Sequence, residues 1–196
     1  MRASICGLRR GDWRWGGSVG NPGLELGLVQ VYTGNGKGKT TAALGAALRA
    51  CGHGLSVWMI QFMKGSDEYG EVRIAAEIPG FSLMQTGLPT FVDRSCPGTD
   101  DRRLAEKGWK KAWEILRAGN HDVIILDEIN VAVDYGLVPL EDLVRFIEEK
   151  PRTTELILTG RSAKQEIMDR ADLVSEVVEV KHHYQRGVAG RRGIEF

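Results

Sequence analysis

The segment Thr33-Gly34-Asn35-Gly36-Lys37-Gly38-Lys39-Thr40-Thr41 packs three glycines, two lysines and three threonines into one turn. It follows the β-rich run Leu28-Val29-Gln30-Val31-Tyr32 and precedes an Ala- and Leu-dense stretch ending at Cys51. Between a strand and a helix, successive backbone N–H groups of such a loop form a positive concavity for phosphate oxygens. Lys39 can neutralise phosphate charge, and the Thr40 hydroxyl can coordinate Mg²⁺ or Mn²⁺. The G-x-x-x-x-G-K-[ST] spacing places its first glycine at position 33, where Thr33 stands. Phosphates are therefore expected to sit differently here from those in an ordinary ATPase.

A second group of residues falls at the end of an apolar run. Asp122-Val123-Ile124-Ile125-Leu126-Asp127 reads as a buried strand finishing on the acids Asp127 and Glu128. Ligand sites of open α/β sheets gather at such strand ends, and an acid there serves the metal of a P-loop site. Thr159-Gly160-Arg161 ends another strand on the same predicted edge, and the planar fork of Arg161 suits a triphosphate. His182 and His183 follow the last strand; adjacent residues of a strand point to opposite faces, so they read as structural or peripheral. There is no Gly-x-Ser-x-Gly, Cys-x-x-Cys or His-Glu-x-x-His, and nothing announces an activated side-chain nucleophile.

The elements that must position these residues alternate. Strands are predicted at 28–32, 55–62, 122–127, 154–159 and 173–180. Helices are predicted at 40–51, 67–78, 101–118, 140–149 and 162–170. Gln85–Gly98, with Gly87, Pro89, Pro97 and Gly98, reads as a long irregular loop, and loops of that length in compact domains are usually functional. Alternating β and α units predict an α/β, RecA-like P-loop fold, a mainly parallel sheet with helices on both faces. Residues 27–196 are expected to form this one domain. Residues 1–26, rich in Gly and Arg and without periodicity, are expected to be a disordered extension.

Composition excludes some functions. The chain has 196 residues with 26 Lys+Arg against 26 Asp+Glu, so no global field attracts nucleic acid or an anionic membrane. No apolar run approaches the roughly 20 residues that span a bilayer. Cys6, Cys51 and Cys96 are odd in number and widely spaced, which favours a reducing, cytoplasmic setting over a disulfide framework.

These signals together resemble the P-loop type of ATP:corrinoid adenosyltransferase. The resemblance rests on the loop Gly34–Thr41, Ala50-Cys51-Gly52-His53-Gly54 and Gln61-Phe62-Met63-Lys64-Gly65. It continues through Ile125–Asn130, Leu158-Thr159-Gly160-Arg161, Ala171–Glu176, Lys181-His182-His183 and the ending Arg192-Gly193-Ile194-Glu195-Phe196. It implies that a Co(I) corrinoid attacks the 5′ carbon of ATP's ribose and that inorganic triphosphate leaves, with ATP reversed in the loop. It further implies a homodimer and a flavoprotein reductant. By carry-over, Gly34, Asn35, Gly36, Lys37, Gly38, Lys39, Thr40 and Thr41 bind ATP, with Arg49 and Arg161 assisting. Lys39 and Glu128 would be catalytic, and Thr40, Glu128 and Asp127 would attend the metal. Typical members carry a Gly-Phe-Thr-Trp-like segment facing the corrinoid; Gly87-Leu88-Pro89-Thr90-Phe91-Val92-Asp93 stands here, leaving Phe91 as the aromatic candidate.

Two other functions fit the loop alone. A P-loop kinase would pass the γ-phosphate to a small acceptor and yield ADP. A RecA-like ATPase switch would yield ADP and phosphate at a partner-dependent rate.

Overall fold

The structure, a computed structural model, describes residues 23–196. The expected extension over residues 1–26 therefore lies almost wholly outside the described residues. Six strands form one all-parallel sheet: β1 (Val29–Thr33), β2 (Val57–Phe62), β3 (Phe81–Thr86), β4 (Val123–Asp127), β5 (Glu155–Thr159) and β6 (Leu173–Glu176). Their spatial order is β3-β2-β4-β5-β1-β6. Six α-helices connect them: α1 (Lys39–Gly52), α2 (Gly70–Ile74), α3 (Thr99–Ala118), α4 (Ile129–Asp134), α5 (Leu140–Glu148) and α6 (Gln165–Met168).

The strands are apolar on both sides because both sides are covered. Alternate residues divide between two cores. Ile60, Phe62, Ile124, Leu126, Leu156 and Leu158 face α3 and α5, where Trp109, Trp113 and Phe146 pack ring against ring. Val57, Met59, Val123, Ile125 and Ile157 face α1 and the turn after α2. The α/β architecture with helices on both faces is thus as the alternating pattern predicts.

Four details differ from the sequence reading. The strand β3, absent from that reading, pairs residue for residue with β2 from Phe81↔Val57 to Thr86↔Phe62, so the irregular stretch begins at Gly87 rather than Gln85. The helix expected over 67–78 shrinks to α2 and one 3₁₀ turn, because Tyr69 is extended at φ −64°, ψ 130°. The short helix α4 follows Glu128 directly, where none is predicted. The last strand stops at Glu176 instead of 180. Its neighbour β1 ends at Thr33, and Val177 turns onto the loop, donating to Thr33 O at 2.8 Å and accepting from Gly36 N at 2.7 Å.

Candidate active site

Four adjacent strands, β2, β4, β5 and β1, deliver their C-terminal ends to one place. Beyond them lies a cavity of about 520 Å³ lined by Gly36 to Thr41, Lys64, Glu128 and Arg161. Open parallel sheets bind ligands at this edge because successive loops leave it in different directions.

The loop after β1 is clamped from behind. Gly34 has φ 92°, and a Cβ there would lie 2.5 Å from Val177 O, so only glycine lets the tail pass. Thr33, at the first-glycine position of the usual spacing, is buried, and its hydroxyl accepts from Ala163 N at 3.3 Å. The unusual residue therefore braces the loop against the segment that carries Arg161. Lys39 is folded onto the loop, donating to Gly34 O at 2.7 Å and Gly36 O at 2.8 Å. Burial lowers its pKa, with Glu128 opposing that shift and Arg161 adding to it.

Asp127 ends β4 fully buried and is saturated by donors. Oδ1 accepts from Thr40 Oγ1 at 2.9 Å and Thr159 Oγ1 at 2.6 Å. Oδ2 accepts from Lys64 Nζ at 2.8 Å and Gln61 Nε2 at 3.2 Å. Glu128 takes a left-handed conformation, φ 60°, which turns the chain into α4, while its N–H donates to Thr159 Oγ1 at 3.0 Å. Its carboxyl pKa is raised, first by burial and then by Asp127, with Lys64, Lys39 and Arg161 acting the other way. A buried carboxylate beside the Thr40 hydroxyl is a donor set that suits a divalent cation completed by phosphate oxygens. The protein offers no complete cage: among the described residues, no group of three or more His, Cys, Asp or Glu converges to hold a metal.

The expected residues divide. Gly36, Lys37, Gly38, Lys39, Thr40, Thr41, Glu128 and Arg161 line the cavity, and Asp127 stands directly behind Thr40. Gly34 and Asn35 shape the turn without lining it. Arg49 lies in the last turn of α1, ten residues from Lys39 and so about 15 Å along the helix axis; it does not reach the cavity. Phe91 is fully exposed on the 87–98 loop and contributes no wall either. The structure adds Lys64, Tyr69 and the tail residues His182, Ile194 and Phe196 to the lining. His182 is thus at the site, against the peripheral reading. It lies not on a strand but just before a 3₁₀ turn, with its ring stacked on His183. Lys64 was legible in principle, since it follows an apolar strand as Asp127 does.

A glycine-lysine loop between β1 and α1, facing an acid pair at the end of β4, defines a P-loop nucleotide-binding protein. Residues 25–196 match the family described as ATP:corrinoid adenosyltransferase BtuR/CobO/CobP, and the chain belongs to that family. It is similar to a corrinoid adenosyltransferase of Escherichia coli K12, 40% identical over 174 residues that cover 88% of this chain and 87% of that one. The Salmonella typhimurium corrinoid adenosyltransferase CobA is 38% identical over the same shares. A corrinoid adenosyltransferase of a Sinorhizobium species is 37% identical over 88% of this chain and 81% of its own.

Proposed function

We propose that this protein transfers the 5′-deoxyadenosyl group of ATP to the Co(I) centre of a corrinoid and releases inorganic triphosphate. The electron pair of Co(I) forms the Co–C5′ bond while the C5′–O5′ bond breaks, its electrons passing to the triphosphate. No protein base is needed, so the chain's task is orientation and stabilisation of the leaving group. The observation that carries this reading is the convergence of Lys39, Lys64 and Arg161 on a cavity without an activated nucleophile. Gly36 to Thr41 seat the triphosphate and Lys39, released from its loop carbonyls, meets the departing charge. Thr40 and Glu128 hold Mg²⁺, which when bound screens the polyphosphate, and Asp127 orients Thr40 from behind.

Phe91 offers an apolar ring to the corrinoid from the loop that starts beside the cavity. We further take the active species to be a homodimer, supported by the edge strand β6, which no other strand among the described residues covers and whose Leu173 and Val174 are exposed. A flavoprotein is the reductant whose chemistry suits delivery of single electrons to cobalt. The unpaired Cys51 and Cys96 favour a reducing cytoplasm. Among the described residues no helix is long and apolar enough to cross a membrane. Incubation with ATP and chemically reduced corrinoid should give adenosylated corrinoid and uncleaved triphosphate in equal amounts. Stoichiometric ADP would instead establish the kinase reading.

A further inference from the structure

The Thr40 hydroxyl and Asp127 already hold a cation, the ammonium of Lys64. Lys64 Nζ lies 2.8 Å from Asp127 Oδ2 and 3.4 Å from Thr40 Oγ1. The Tyr69 ring covers it with its centroid 5.5 Å away. The seat is built by the backbone. Met63, just before it, is held at φ 56°, a conformation costly for a side chain of its kind. Immediately after it, Gly65 crosses the root of the next loop so closely that a Cβ would lie 2.1 Å from Gly87 O. The salt bridge to Asp127 holds the ammonium in this seat.

Charge balance says what such a lysine does. Lys37, Lys39, Lys64 and Arg161 face Glu71, Glu128 and Glu195, with Asp127 behind, so four cations already match four carboxylates while Lys64 is seated. A bare divalent cation would leave its charge unmatched. A metal–nucleotide complex brings the phosphate charge that offsets it.

We propose that Lys64 is a tethered counter-ion that occupies the metal position until nucleotide arrives, so that metal and nucleotide bind together and metal alone is not retained. The inference rests on the reading of Thr40 and Glu128 as metal-holding residues. When the polyphosphate enters, the flexible lysine stem turns the ammonium to a phosphate oxygen and frees the Thr40 hydroxyl for the metal. Lys64 thereby couples the two ligands without a conformational change elsewhere.

The test needs no turnover. Mn²⁺ binding to the full nucleotide-free chain is titrated by electron paramagnetic resonance of the free ion, for the wild type, Lys64→Met, Lys64→Gln and Lys64→Arg. Both neutral variants should bind Mn²⁺ at least about tenfold more tightly than the wild type, because one nearby unit charge is removed. Lys64→Arg should stay as weak as the wild type. ATP should strengthen Mn²⁺ binding to the wild type far more than to Lys64→Met or Lys64→Gln. Unchanged Mn²⁺ affinity in whichever neutral variant keeps a native melting transition would overturn the proposal and leave Lys64 a structural partner of Asp127. Glu128→Gln added to Lys64→Met should abolish the gain; a gain that persists would place the metal elsewhere and overturn the proposal too. Failure of the adenosyl-transfer reading would be seen separately, in the reaction products.

Discussion

Strand β4 is bracketed by two aspartates, and both accept hydrogen bonds, yet only one lines up with the cavity. Asp122, before the strand, accepts from Ser56 N at 2.7 Å and Ser56 Oγ at 2.8 Å, which ties the entry of β4 to the start of β2. Asp127, at the exit, accepts from Thr40, Thr159, Lys64 and Gln61. The first set includes a backbone N–H and the hydroxyl of the same serine. The second is a loop hydroxyl and an ammonium that themselves face a cavity. An acid at a strand end is therefore not a site by position. The chemistry of its partners, and whether they can exchange them for a ligand, decides.

The largest effects should fall on the exit side. Lys39→Ala removes the cation set in the loop, and turnover should drop at least about a hundredfold, the scale of losing a preorganised electrostatic stabiliser. Near-normal rates in that variant would remove the loop from the mechanism. Asp127→Ala leaves the mostly buried Lys64 ammonium unpaired, which should cost about 3–5 kcal/mol of stability together with activity. Asp122→Ala should cost about 1–3 kcal/mol by stranding the Ser56 N–H, with kcat unchanged once the protein is folded. Denaturant unfolding beside steady-state rates separates the two. Equal catalytic losses from both variants would erase the distinction between the ends of the strand.

The same contrast explains what was legible in the sequence. The loop, the acid pair and Arg161 announced themselves because each follows an apolar run, and a parallel sheet gathers such ends at one edge. Strand β3 was missed because Phe81-Ser82-Leu83-Met84-Gln85-Thr86 is an edge strand with polar residues at three of its positions, so it lacks the continuous apolar run of β4. The tail escaped for a different reason. Val177 to Phe196 reaches the cavity through backbone bonds such as Gly36 N to Val177 O, and main-chain contacts leave little trace in residue type. Arg49 was assigned to the triphosphate by resemblance, but the rise along α1 carries it away from the cavity. Lys64 was visible as a letter in a motif; its role needed the distance to Asp127.

Phe91 tests the side of the site that lies away from the phosphates. Its full exposure removes the possibility that it pins the loop into the core. The loop is held instead by Arg94, which pairs with Asp134 at 3.1 Å while Lys164 pairs with the same carboxylate at 2.6 Å. Phe91→Ala should therefore leave the melting temperature and ATP affinity nearly unchanged. It should slow adenosylation started from Co(II) corrinoid, where an apolar cover helps exclude water and a lower axial ligand, more than the reaction started from Co(I). Equal slowing from both cobalt states would assign Phe91 to general corrinoid binding rather than to reduction.

The smallest effect belongs to the entry side, next to Asp122. His121 stands with its ring 5.4 Å from that of Trp58, and both Trp58 Nε1 and His121 Nδ1 are buried without a hydrogen-bond partner among the described residues. Burial lowers the His121 pKa; Asp122 opposes that shift, and Lys111, whose ammonium lies 5.4 Å from the Trp58 ring, adds to it. A histidine that resists protonation in the fold but accepts a proton when unfolded contributes stability fully present above its unfolded pKa, about 6.5. That contribution is lost as pH falls from there through the folded value. Melting temperature should thus decline on acidification below about pH 6.5, and His121→Phe should flatten that part of the profile. Because His121 lies at the opposite edge of the sheet from the cavity, ATP affinity in His121→Phe should match the wild type across the same pH range. A shift in ATP affinity with His121 protonation would mean that the two ends of β4 are coupled, and the separation between structural and functional acids would have to be withdrawn.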